Sequence, residues 1–176
     1  MLGEFFSDFT IIPAVGEEKV DKLLSPQALV CALATQKAEE VAASEQAAGK
    51  AVIGADTVVA LDGKVLGKPI SKEHAAEMLR ALSGRVHEVY TGVCIVLPSG
   101  EKLVQADCTR VVFEELTEEQ IAAYIQTGSP MDKAGAYGIQ DGGLVKKIKG
   151  SYTNVVGFPL ELVQKMIKKA EKKWHD

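Results

Sequence analysis

The sequence predicts an α/β or α+β protein, a mixed and twisted β-sheet with helices flanking it. Long β-branched and aromatic runs at Val52–Leu61, 86–97 and Lys102–Phe113 alternate with stretches whose apolar residues keep helical spacing. Turn signals, Asp62-Gly63 and Pro98-Ser99-Gly100, stand beside those runs. Helix starts are equally plain at Ser25-Pro26, Ser71 and Thr117.

In chain order, Thr10-Ile11-Ile12-Pro13 reads as a short strand stopped by proline. Ser25 caps and Pro26 opens the first helix, with Leu29, Val30, Leu33, Ala34, Ala38 and Val41 as its buried stripe and Lys37 near its middle. Val52–Leu61 is an apolar strand that turns at Asp62-Gly63 and returns to Lys68, held between Gly67 and Pro69. Ser71 starts a second helix that buries Ala75, Met78, Leu79 and Leu82 and stops at Ser83-Gly84. Residues 86–97 and Lys102–Phe113 form an antiparallel pair. Thr117-Glu118-Glu119-Gln120 is a capping box for a third helix through Ile125. Residues 128–143 are a glycine-rich loop, 144–148 a short strand, and Pro159 opens a last helix that buries Leu160, Val163 and Met166. The lysines at its end suit the negative pole of the helix dipole. Both hairpin and parallel connections are expected.

A chain of 176 residues is long enough for one domain with a substantial core. Its 47% apolar and 25% charged residues are those of an ordinary globular chain. A net charge of −4 argues against a generic nucleic-acid binder but leaves room for a local phosphate pocket. Cys31, Cys94 and Cys108 are widely spaced and odd in number, so neither a disulfide framework nor a zinc site is expected. His74, His87 and His175 lack metal-ligand spacing. No apolar run approaches the roughly 20 residues that span a bilayer. No basic stretch precedes an apolar one at the front, so no secretory signal is expected and the default location is the cytoplasm.

Several polar residues are at odds with their surroundings. Asp56 and Thr57 interrupt an apolar strand, and the hairpin that follows can bring Lys68 back toward Asp56. A carboxylate and an ammonium in one cleft suit a substrate with phosphates and a metal ion; equally, Asp56 can cap a turn and Lys68 be solvated. Lys37 sits among alanines, where an exposed helix lysine is the plain alternative. Gln140 closes Asp132-Lys133-Ala134-Gly135-Ala136-Tyr137-Gly138-Ile139-Gln140, whose glycines permit positive φ and close approach to a ligand. Long loops are common on surfaces, yet in compact domains they are often functional. Gly150-Ser151-Tyr152-Thr153-Asn154-Val155-Val156-Gly157 either donates hydrogen bonds to an anion or is a turn before the last helix. Glu17-Glu18 near Asp56 would suit a hard cation, and are otherwise two solvated acids. His87 reads as a strand histidine with a local hydrogen bond. No GxSxG, Walker A or complete GxGxxG pattern occurs.

Five segments, in order, carry a resemblance: Gly54-Ala55-Asp56-Thr57-Val58-Val59; Leu66-Gly67-Lys68-Pro69; His87-Glu88-Val89-Tyr90-Thr91-Gly92-Val93; the segment Asp132 to Gln140; and Gly150 through Pro159. Together they resemble the Maf family of nucleotide pyrophosphatases over nearly the whole chain. The resemblance implies a two-lobed α/β fold around a central cleft, shared with inosine-triphosphate pyrophosphatases. It implies hydrolysis of a nucleoside triphosphate to monophosphate and pyrophosphate with a divalent metal cation, Mg2+ or Mn2+. Carried over by motif, Asp56 is the general base and a metal ligand, and Glu18 rather than Glu17 a metal or water ligand. Lys37 and Lys68 are triphosphate ligands. Thr57 and Gln140 match the branch that accepts dTTP and UTP; the branch resembling 7-methyl-GTP hydrolases carries an acid where Gln140 stands. A homodimer is implied as well.

One departure stands out. Family members begin with a strand and turn of the form Ala-Ser-x-Ser-Pro-Arg-Arg and a helix containing Glu-Leu-Leu, and Leu2-Gly3 matches that helix's end. The expectation is therefore a single domain, 1–176, shorter at its front than the family by about a strand and a helix. Two other functions fit the same resemblance: a non-catalytic nucleotide-binding regulator of septum formation, and a broader pyrophosphatase for modified or purine nucleotides.

Overall fold

The computed structural model describes residues 8–19 and 23–174. Its elements are α1 (Pro26–Ala42), β1 (Val52–Leu61), β2 (Lys64–Leu66), α2 (Lys72–Leu82), β3 (Val86–Val96), β4 (Lys102–Phe113), α3 (Glu118–Gln126), β5 (Val145–Lys149), α4 (Tyr152–Val156) and α5 (Leu160–Trp174), with short 3-10 turns between. The caps are those the sequence predicts. Ser25 Oγ accepts from the Ala28 N–H, Ser71 Oγ from His74, and Thr117 and Gln120 form a reciprocal capping box.

The five strands form one sheet in the order β2-β1-β3-β4-β5. The α/β class holds, but every pairing among the described residues is antiparallel, where a mixed sheet was expected. The reason lies in the crossover. Since β2 and β3 both run antiparallel to β1, they are parallel to each other, and α2 joins them as a crossover helix should. But β1 lies between them, so the parallel partners never share a ladder. The run Thr10-Ile11-Ile12-Pro13 is not a strand. Among the described residues no strand pairs with it, and the chain just after it is tied to α1: the Val15 and Gly16 N–H groups both donate to Glu40 Oε1. The match at Leu2-Gly3, and His175, lie outside the described residues.

Helices cover both faces of the sheet. On one face α1 packs Leu29, Val30 and Leu33 against Val58, and Ala34 and Ala38 against Cys94 and Val96. On the other, α2 and α3 close over Val59, Val89, Val111 and Phe113 through Leu79, Leu82 and Ile121, while α5 lays Val163 and Met166 on Val93 and Ile95. Alternation of side chains along each strand dictates this division.

The seat of α1 depends on two glycines. A Cβ on Gly92 would lie 2.2 Å from Val30 O and 2.7 Å from Cys31 N; one on Gly54 would lie 2.7 Å from Ala34 O and 2.8 Å from Ala38 Cβ. The helix backbone therefore rests directly on β1 and β3. Because the contacts at Gly92 are all backbone, a methyl group there has to lift the helix rather than turn a side chain aside. Gly92→Ala is expected to cost about 2–3 kcal/mol and lower Tm by about 5–10 °C. Gly67→Ala, where a Cβ meets nothing within 4 Å, should stay within about 2 °C of wild type. Thermal unfolding followed by circular dichroism checks both; a Gly92→Ala protein melting with wild type would contradict the close seating.

Candidate active site

Gly54, Asp56 and Val58 alternate onto the α1 face of β1, and Asp56 stands directly across from Gly92 of β3. With α1 pressed onto that glycine pair, the Lys37 ammonium reaches the Asp56 carboxylate and donates a hydrogen bond to Oδ1. The same ammonium lies 3.3 Å from Glu18 Oε1. Glu18 is held there by its neighbours: Gln36 Nε2 donates to Glu17 O at 2.5 Å, and the Lys19 N–H donates to Gln36 Oε1 at 2.9 Å. One side-chain amide thus grips the backbone on both sides of Glu18. Lys37 touches Glu18, not Glu17, among the acids of that pair.

The Asp56 side chain is only 12% exposed, whereas Lys37 and Glu18 are 33% and 54% exposed. Burial pushes the Asp56 carboxyl above its usual range, outweighing the opposing pull of Lys37, and the Glu18 charge adds to the rise. Burial pushes the Lys37 ammonium down, but its bonds to Asp56 and Glu18 outweigh that and hold it above its usual value. Lys68 is exposed, and its charge acts on both Asp56 and Asp132. The Gly135 N–H donates to Gly67 O at 3.0 Å, which ties the loop bearing Lys68 to the segment that leads to Gln140. The ammonium in contact with Asp56 is therefore the helix lysine, with the hairpin lysine acting at longer range.

Thr57, next in sequence to Asp56, points to the opposite face. Its hydroxyl is 2.8 Å from Thr91 Oγ1, which donates to Asn154 O at 3.0 Å. Asn154 is fully buried and its amide donates to Val89 O and Thr109 Oγ1, both at 3.0 Å. This polar column pins α4 to β3 and β4, so the segment around Asn154 is a short helix rather than a plain turn. Gln140 lies exposed in a 3-10 turn, Ile139–Asp141, that packs against α4. The candidate residues thus form two groups, Lys37, Asp56 and Glu18 on the α1 side of the sheet, and Thr57 and Gln140 on the α4 side, with Lys68 acting on Asp56 from the hairpin loop.

Two cavities are distinct from the carboxylate cluster. One of about 530 Å³ lies along α1 between Lys19, Cys31, Thr35, Glu39 and Val104. Another of about 270 Å³ runs between the glycines at 138, 142 and 143 and β5, with Tyr152 in its lining. Neither is lined by Asp56 or Lys37. Residues that local sequence signals do not disclose are Gln36, which grips the Glu18 backbone, and Tyr124 and Asp141, which tie the turn of Gln140. Their partners lie 14 to 19 residues away along the chain, beyond the reach of periodicity or capping rules.

His87 is a core residue. It is fully buried, Nε2 is 2.7 Å from Tyr137 Oη, and it stacks edge-on against Phe113 and Tyr137. Burial lowers its pKa from 6.5 to about 4. The folded protein thus binds the proton less readily than the unfolded chain. The stability this contributes is full above pH 6.5 and is lost as pH falls through about 4. The loss amounts to about 3 kcal/mol. Urea unfolding at pH 7 and pH 4 should show wild type losing about 3 kcal/mol more than His87→Gln; equal losses would mean that His87 titrates as a solvated group.

Comparison with known proteins shows which family the chain belongs to. The chain is 52% identical over 168 residues to a dTTP/UTP pyrophosphatase of Thermococcus onnurineus (strain NA1), covering 94% of this chain and 89% of that protein. It is 52% identical over 162 residues to a dTTP/UTP pyrophosphatase of Moorella thermoacetica (strain ATCC 39073 / JCM 9320), covering 90% and 82%. It is 49% identical over 162 residues to one from Bacillus velezensis (strain DSM 23117 / BGSC 10A6 / LMG 26770 / FZB42), covering 91% and 84%. The family model described as Maf-like protein matches residues 1–170, and the chain belongs to the Maf family.

Proposed function

We propose that this chain hydrolyses dTTP and UTP to the nucleoside monophosphate and pyrophosphate. The observation that carries the reading is the Lys37–Asp56–Glu18 cluster, in a chain about 50% identical to proteins named for that activity. In this reading Asp56 accepts a proton from the attacking water, a role that its burial favours by raising its basicity. Lys37 and Lys68 bind phosphate oxygens and offset the charge of the pyrophosphate that leaves. Thr57 and Gln140 serve the base end.

The donor set also fits a hard divalent cation, Mg2+ or Mn2+. Asp56 and Glu18 offer carboxylate oxygens that already converge on one cationic group, Lys37. Among the described residues no group of three or more His, Cys, Asp and Glu could hold a metal. Two carboxylates suit magnesium, which keeps several waters and takes further oxygens from substrate phosphates. Bound there, the cation supplies charge neutralisation for the triphosphate. We further propose a single domain acting as a cytoplasmic homodimer. The exposed Ile11 and Val15, at 77% and 88%, offer apolar surface to a partner. Among the described residues no helix is long and apolar enough to cross a membrane.

Pyrophosphate release from dTTP, UTP, GTP and ITP with magnesium tests the reading. Wild type should favour dTTP and UTP, and Asp56→Asn should lose about 10²-fold or more of kcat with an unchanged circular dichroism spectrum. An Asp56→Asn protein within a few-fold of wild type would remove Asp56 from the base role. Binding of dTTP by wild type with no pyrophosphate formed would point to a nucleotide-binding regulator, and equal rates on GTP and ITP to a broader pyrophosphatase.

A further inference from the structure

We propose that Tyr124 is a positioning residue for base selectivity, its hydroxyl bridging Gly138 and Asp141 and so fixing the turn that carries Gln140. The proposal rests on the reading of Gln140 as a base ligand. Tyr124 Oη donates to Asp141 Oδ2 at 2.5 Å and accepts from the Gly138 N–H at 3.0 Å. One hydroxyl from α3 therefore grips the turn two residues before Gln140 and one residue after it. Ser129 Oγ donates to the same Asp141 oxygen at 2.7 Å, and Lys133 Nζ donates to Ser129 O and Oγ at 2.7 and 2.9 Å.

Gly138 is enclosed by this network: a Cβ there would lie 2.9 Å from Lys133 Cε and 3.0 Å from Asp141 Oδ2. Upstream, Ala136 is fully buried at φ 59°, a left-handed conformation that costs a non-glycine residue energy and persists only where the surroundings enforce it. The Gln140 side chain is itself exposed, so the backbone on either side sets the point and direction from which its amide reaches out. Burial, and then the bond to Asp141, push the Tyr124 phenol up to about 12, which keeps the hydroxyl a donor throughout any assay range. A planar amide has a donor and an acceptor to match the N3–H and carbonyls of a pyrimidine, and it discriminates only if its direction is fixed.

The test is kcat/KM for dTTP and for GTP in wild type, Tyr124→Phe, Asp141→Ala, Asp141→Asn, Gln140→Glu and the Tyr124→Phe/Gln140→Glu double variant. Tyr124→Phe should lower the dTTP:GTP ratio about tenfold, through a higher KM for dTTP rather than a lower kcat. Asp141→Ala should act in the same direction, while Asp141→Asn, which keeps an acceptor oxygen for Tyr124 and Ser129, should hold the ratio within about twofold. The double variant should be no less selective than Gln140→Glu alone. If Gln140→Glu moves the ratio and Tyr124→Phe and Asp141→Ala do not, the positioning role is overturned and the base reading stands. If Gln140→Glu leaves the ratio unmoved, both fail. Equal losses on dTTP and GTP in Tyr124→Phe also overturn the proposal, since they mark a support of the fold alone.

Discussion

The close approach of α1 to the β1–β3 pair governs the geometry of this protein. Gly54 and Gly92 present no side chain, so the helix lies backbone-on-sheet where larger residues would hold it away. The small residues Ala34 and Ala38 complete the contact from the helix side. The chemical consequence follows within a few ångströms. Lys37 sits beside Ala38, Asp56 sits across from Gly92, and the short gap lets the lysine ammonium reach the acid. A carboxylate so deeply placed would be costly without a cation beside it. The ion pair and the glycine seat therefore depend on each other.

The opposite face of the same strand is organised by hydrogen bonds. Half-buried Thr57 and buried Thr91, Asn154 and Thr109 form a hydrogen-bonded column that holds α4 against the sheet. Adjacent residues Asp56 and Thr57 thereby serve different surroundings, one under α1 and the other under α4. On the proposed reading this separates the phosphate end of the substrate from its base end. The loop of residues 128–143 links the two sides: Gly135 bonds to Gly67 beside Lys68, and Gly138 to Tyr124 beside the turn of Gln140.

Much of the fold was legible because its signals are local. Ser25, Ser71 and Thr117 cap the helices that their spacing predicts, and Asp62-Gly63 makes the hairpin. The strand expected at Thr10–Pro13 failed because strand propensity needs a partner ladder, and just beyond it the backbone at Val15 and Gly16 is bonded to Glu40 of α1. Strand direction was illegible for a similar reason: α2 looks like a parallel crossover in sequence, and nothing local says that β1 lies between the strands it joins. Asp56 and Lys68 stood out as polar residues in apolar or glycine-rich settings. Lys37 is a lysine among alanines that the family resemblance marks as a triphosphate ligand; its contact with Asp56 depends on the glycines facing α1, which no local pattern discloses. Gln36 and Tyr124 carried no local signal, since each acts through partners far along the chain.

In the proposed function α1 delivers Lys37 to a site built for a chain of phosphates. Isothermal titration of Lys37→Ala with a non-hydrolysable dTTP analogue and with dTMP tests it most directly. An ammonium acts where negative charge is greatest. Affinity for the triphosphate analogue should fall about tenfold or more while affinity for dTMP changes less than about twofold. Equal losses for both ligands would contradict it and would mean that Lys37 serves only to hold Asp56 and the helix in place.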